Sequence, residues 1–250
     1  MTEAVLTSTV DQIRVITLNR PEVRNAIDSN VSRGVFDALA DLDADDAIRV
    51  GVITGNGGTF SAGMDLKAFA QYGLPAKIDD VLRHGCRKPL IAAIEGVAVG
   101  GGLEMALIAD LLVGSSDARL GSTEVKFGLF PAGGALLRLP RLLPQSLVVE
   151  MALTGNLMSA STAFEHGLLV RLSEPGQTLD MALELAAAIA RNAPLGVAAA
   201  KQLLRRTPGR TEDELWEEQL ALVGSVFHSE DAKEGAQAFA EKRPPEWSGR

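Results

Sequence analysis

Glu104 and Glu124 are the side chains of this sequence best suited to moving protons. They lie in the stretch Leu90 to Gly134, which is dominated by Ile, Val, Leu, Ala and Gly. A carboxylate in such surroundings is costly unless it has a partner or a task. Two of them close together can push each other's proton affinities apart, as general acid–base chemistry requires. Each also has a plainer explanation. Glu104 follows Gly100, Gly101 and Gly102 in the first turn of an expected helix, where the helix dipole favours a negative charge. Glu124 sits near Lys126 and fits a solvated turn. The glycine triplet is a second chemical element. An apolar strand that stops at glycines and turns into a helix aims unpaired N–H groups at one point. That point suits an anion or an oxygen that becomes anionic during reaction. Glycines in the same place also permit tight packing of helix on strand with no ligand at all.

These residues need elements to hold them. Ile91 to Val99 reads as a buried strand and Leu103 to Leu112 as a buried helix. The charges Glu95, Glu104 and Asp110, with the glycines between, rule out a membrane span here. Upstream, Val5 to Asn19 has the pattern of one or two strands, and Val31, Val35, Leu39 and Leu42 mark an amphipathic helix over 29–43. Between them lies NRPEVRNAI, whose Arg24 fits either a solvated loop cation or a contact to phosphate. A strand over Ile48 to Thr54 precedes GNGGTFSAGMDLKAF. There Ser61, Ala62 and Gly63 are small enough for a ligand to lie against main chain, and Asp65 is placed to cap a helix. No convincing strand follows Pro175, and four helical segments fill 179–242. The first 175 residues are therefore expected to form an alternating β/α core, with a helical region over 176–250 that docks on a neighbour.

Composition narrows the functional classes. The chain has 250 residues, 46% of them hydrophobic, enough for a sizeable core. A net charge of −8 argues against nucleic acid or anionic membrane as the main partner, yet leaves room for a phosphate-bearing ligand held by a few cations. One cysteine, Cys86, cannot form an intrachain disulfide, and MTEAVLTSTV carries no secretion pattern, so a cytoplasmic protein is expected. His84, His166 and His228 are too scattered for a metal site. Neither a P-loop nor a GxSxG elbow is present.

Beyond these readings, the sequence resembles the enoyl-CoA hydratase/isomerase, or crotonase, family. The motifs are NRPEVRNAI at 19–27, FSAGMDLKAF at 60–69, IAAIEGVAVGGGLEMALIADLLV at 91–113, GSTEVKFGLFPAGGALLRLPRLLP at 121–144, MALTG at 151–155 and AFAEKR at 238–243. The resemblance implies an α/β fold, a spiral of ββα units with a C-terminal helical region that mediates trimers, often paired as hexamers. It implies an acyl-CoA thioester substrate, with no cofactor beyond the CoA that the substrate carries. It puts the thioester oxygen between the N–H groups of Ala62 and Gly101, gives activation of water to Glu104 and protonation of C2 to Glu124, and suggests CoA contacts at Arg24, along Ser61, Ala62, Gly63, Met64 and Asp65, and from Phe239 and Lys242 onto a neighbouring subunit's CoA. Both glutamates being present favours reversible hydration of a 2-enoyl-CoA. The same scaffold also serves Δ3,Δ2-enoyl-CoA isomerases, thioesterases and decarboxylases, and could persist in a non-catalytic assembly subunit. Ser122 and Thr123 stand where hydratases of fatty-acid oxidation carry Gln-Pro, which leaves acyl specificity open.

Overall fold

The computed structural model describes residues 3–250. Its strands are β1 (Val5–Val10), β2 (Ile13–Leu18), β3 (Val50–Gly55), β4 (Leu90–Ile94), β5 (Val97–Val99), β6 (Leu111–Ser115), β7 (Arg119–Gly121), β8 (Met158–Ser159) and β9 (Arg171–Ser173). Six form one sheet in the order β1-β2-β3-β4-β6-β9, parallel except for the β1–β2 hairpin. The remaining three form a small sheet, β5-β7-β8.

Side-chain alternation along the large sheet separates two apolar layers. Ile16, Leu18, Ile53, Ala92 and Ile94 face one way, into the main core, together with the helix α1 (Ser29–Ala44). Val50, Val52, Ile91, Ala93 and Val113 face the other way. The helix Thr178–Ala190 covers that second face with Ala182 and Ala186. This helix lies beyond residue 175, in the region expected to dock on a neighbour, yet it packs on the chain's own sheet. Three more helices follow it, Pro194–Arg206, Glu212–Phe227 and Glu230–Glu241.

The expected single strand over Ile91 to Val99 is two. Gly96 takes φ 58° and turns the chain out of the large sheet into the small one. The expected helix over Leu103 to Leu112 is also shorter, Gly101–Ala106. It ends because the Asp110 carboxylate accepts the Leu90 N–H at 2.8 Å and draws the chain back beside β4. Two short helices, Leu66–Tyr72 and Ile78–His84, lie between β3 and β4.

Asp110 also anchors the C-terminal helices. Lys201, its side chain 8% exposed, donates to Asp110 at 2.6 Å and to the Lys88 carbonyl at 2.7 Å. Lys201→Met leaves that carboxylate without its cation. Because Asp110 keeps 28% of its side chain in solvent, the expected loss is about 1–3 kcal/mol rather than the full cost of breaking a dry pair. Urea unfolding checks it, with Lys233→Met in the exposed pair to Glu230 as the control expected to change nothing measurable.

Candidate active site

Glu104 and Glu124 line one cleft of about 310 Å³. Gly101 lies on its wall, and Ile27, Met64, Ile78, Leu82 and Leu129 make most of the rest apolar. Glu104 is held by the short helix Gly101–Ala106, 5% exposed. Its Oε1 accepts the Ala135 N–H at 3.2 Å. Ala135 opens a one-turn helix after Gly134, so this donor comes from a helix start. Gly133 passes so close that a Cβ there would overlap the Glu104 carboxylate and Leu82. Burial raises the Glu104 carboxyl to about 7; the Ala135 N–H opposes the rise, the neighbouring Glu124 adds to it, and the more distant Gly133 N–H and Arg138 oppose it.

Glu124 starts a 3-10 turn, Glu124–Phe127. Both of its carboxylate oxygens are shielded from solvent and have no hydrogen-bond partner. Burial pushes this carboxyl above the usual carboxylate range; the main-chain N–H groups of Glu124 and Thr123 lean toward it without reaching hydrogen-bonding geometry. The two acids thus differ in kind. Glu104 accepts a main-chain N–H and Glu124 accepts none, yet burial holds both carboxyls above the ordinary carboxylate range.

The raised Glu104 carboxyl has a consequence for stability. Its ordinary value is 4.5 and its folded value is about 7. Between these the native state keeps a proton that the unfolded chain has lost, so its contribution to stability falls as pH rises and stays low above about 7. Glu104→Gln cannot ionise and escapes that fall. The variant is expected to exceed the parent by about 2–3 kcal/mol at pH 8.5 and to match it near pH 4. Denaturant unfolding at the two pH values measures the difference.

The main-chain donors fall differently from expectation. The Ala62 N–H is already given to the Arg24 carbonyl at 2.9 Å, so Ala62 is not an oxyanion donor. Three residues on, Asp65 donates to the Ile27 carbonyl at 2.9 Å, and Ile27 donates to Gly63 at 2.8 Å. That pairing turns the intervening Met64 N–H away from Ile27. The Met64 nitrogen lies 3.6 Å from where a Cβ of Gly101 would be. Among the described residues neither the Met64 nor the Gly101 N–H has an acceptor, whereas Gly100 gives its own to Gly121 at 2.9 Å. Met64 and Gly101, not Ala62 and Gly101, are the free pair beside the cleft. Gly102 makes their approach possible. A Cβ there would come within 2.6 Å of the Ser61 oxygen and 2.8 Å of its Cβ.

The remaining residues of the sequence reading divide. Ser61 is fully buried, with its hydroxyl donating to the Asn25 carbonyl at 2.8 Å and accepting from Gly63 at 3.2 Å, and with its N–H and C=O both engaged. It is scaffold and offers no polar group to a ligand. Gly63 is buried at φ 90° with its carbonyl in use. Asp65 caps the following helix and pairs with Arg20 at 3.1 Å. Arg24 is exposed at φ 52°. Phe239, 88% exposed, and Lys242 lie on and just after the last helix, outside the residues lining the cleft.

Asn25, next to Arg24, was not singled out by sequence. It is wholly buried at φ 54°, its amide bonded to the carbonyls of Asn56 and Thr59 and its oxygen to the Arg20 N–H. It stitches loop 19–27 to the donor segment. Gly133, Ala135 and Arg138 were also missed as supports of Glu104.

With the geometry in place, comparison with known proteins is decisive. A profile described as enoyl-CoA hydratase/isomerase matches residues 8–250. The chain belongs to the enoyl-CoA hydratase/isomerase family. It is 41% identical over 248 residues to enoyl-CoA hydratase EchA19 of Mycobacterium tuberculosis, covering 94% of this chain and 93% of the relative. It is 40% identical to a carnitinyl-CoA dehydratase of Salmonella paratyphi A, over the full length of both. A crystal structure of an enoyl-CoA hydratase from M. tuberculosis superposes with a TM-score of 0.94 at 46% identity, covering both chains completely. One from Bacillus anthracis does so at 0.93 and 30%, covering 99% of this chain and all of that one. The family's crotonase fold is therefore the fold of this chain. Among the described residues no helix is long and apolar enough to cross a membrane.

Proposed function

We propose that this family member is an enoyl-CoA hydratase that adds water reversibly across the 2,3 double bond of a 2-enoyl-CoA. The observation that carries the reading is one cleft holding two carboxyls of unlike environment beside two free main-chain donors. The thioester oxygen accepts from Met64 and Gly101 as it gains negative charge. Ionised Glu104 takes a proton from a water whose oxygen bonds to C3, and the π electrons move toward C2 and the carbonyl. Protonated Glu124 gives its proton to C2, leaving a 3-hydroxyacyl-CoA. The reverse sequence is dehydration. The scheme draws on no cofactor besides the CoA of the substrate. Arg24, at the exposed edge beside Ala62, is the local cation for a CoA phosphate.

Exposed apolar side chains outside the cleft, among them Phe127, Leu137, Leu153, Phe227 and Phe239, support self-association as trimers or hexamers, which would bring Phe239 and Lys242 to a neighbour's CoA. A panel of 2-enoyl-CoA esters, followed by loss of the conjugated thioester absorbance, tests the reaction. Hydration of at least one ester is expected. Free CoA release instead, or conversion of 3-enoyl esters alone, would replace this reading with a thioesterase or an isomerase.

A further inference from the structure

Arg138 is a half-buried cation that makes no ion pair among the described residues. Its guanidinium spans two carbonyls. Nη2 donates to Leu82, and Nη1 donates to Gly133 at 3.3 Å. Leu82 belongs to the helix Ile78–His84 and lines the cleft, while Gly133 abuts Glu104. Gly134, at φ 109°, leaves the space that the guanidinium occupies. An arginine in this position gives up hydration for two neutral acceptors, which by itself is unfavourable. A role toward the adjacent carboxylate would explain the placement.

We infer that Arg138 is a positioning residue for Glu104: it clamps the turn whose N–H groups reach that carboxylate. The inference rests on the hydratase reading only for its effect on turnover. The charged groups around Glu104 are few. Glu124 faces it from the 3-10 turn and Arg138 from the one-turn helix. Asp79 shares the cleft but is paired with Arg83 at 2.7 Å. Arg205 and Arg141 lie near Arg138 and work against its charge. With Arg138 neutralised, Glu104 would face Glu124 with no compensating cation, and it would hold its proton to higher pH.

The test is a ¹³C NMR titration of the Glu104 carboxyl, assigned with Glu104→Gln, in the parent, Arg138→Gln and Arg138→Lys proteins. In Arg138→Gln the midpoint should rise measurably above the parent's, and the acidic limb of kcat/KM should move with it. Arg138→Lys keeps the charge but cannot hold two carbonyls in one plane. It should titrate close to the parent yet lose about tenfold in kcat, as a misplaced catalytic group does. This conservative variant carries the test if Arg138→Gln does not fold. An unmoved midpoint in Arg138→Gln, or a parental kcat in Arg138→Lys, overturns the inference. Because the titration reads the carboxyl itself, a moved midpoint in a protein that hydrates no enoyl-CoA would sink the functional reading and leave this one standing.

Discussion

Glu104→Gln and Glu124→Gln are each expected to lower kcat for hydration by about 10²- to 10⁴-fold, the range that a positioned general acid or base supplies. The glutamine is nearly isosteric in both places. At 104 its amide oxygen still accepts the Ala135 N–H, so the wall of the cleft stays in place. At 124 there is no partner to lose. The losses should therefore appear in kcat, with KM for the same ester changed less than about threefold. The pH profile separates the two roles. Glu104, raised to about 7, must be ionised to take a proton. Parental kcat/KM should then rise through about pH 7. In Glu104→Gln the residual activity should lack the acidic limb. Stopped-flow or steady-state absorbance of a reactive ester measures all of this. Near-parental turnover in either variant would mean that one carboxyl suffices, as in an isomerase.

Gly101→Pro is expected to cost about 10²- to 10³-fold in kcat, the usual price of one oxyanion donor. Position 101 is the first residue of its helix, where proline is well accepted because its missing N–H has no intrahelical partner. Gly100 before it, at φ 55° and ψ −131°, already uses a region open to glycine. The substitution therefore removes little besides one N–H and puts a ring carbon where the thioester oxygen would sit. Gly101→Ala is the control. Its Cβ would meet nothing nearer than the Met64 nitrogen at 3.6 Å and Ile27 Cδ1 at 3.7 Å, and it keeps the N–H. Alanine should retain activity within a fewfold. Equal damage from both would mean that crowding, not the donor, is what position 101 controls.

Much of this site was legible because its side chains break a pattern. Two acids in the most apolar stretch of the chain, and a glycine run that ends a strand, stand out against their surroundings. The helices after residue 175 were legible from periodicity, and Thr211 with Glu214 three positions on closes a capping box at the start of one of them. The choice of main-chain donor was not. Ala62 and Met64 are two residues apart, and which amide points into the cleft is decided by pairing with Arg24 to Ile27, a long-range register that residue types do not encode. The division of Ile91 to Val99 between two sheets was hidden likewise, since both halves are equally apolar and only Glu95 and Gly96 mark the bend. Ala135 supports Glu104 through its backbone, and a backbone contribution leaves no trace in composition. Asn25 and Arg138 act by side chain, but on carbonyls distant in sequence.

The bare α-carbon of Gly102 beside Ser61 has a bearing on how variation in such chains is read. One added methyl group would wedge two backbone segments apart, so natural or laboratory drift should be stifled at a position that never meets a substrate atom. An investigator ranking positions by intolerance alone would place Gly102 among the chemical groups. It is a spacer, and because the nearest atom is the main-chain oxygen of Ser61, no change of side chain at 61 would relieve the overlap.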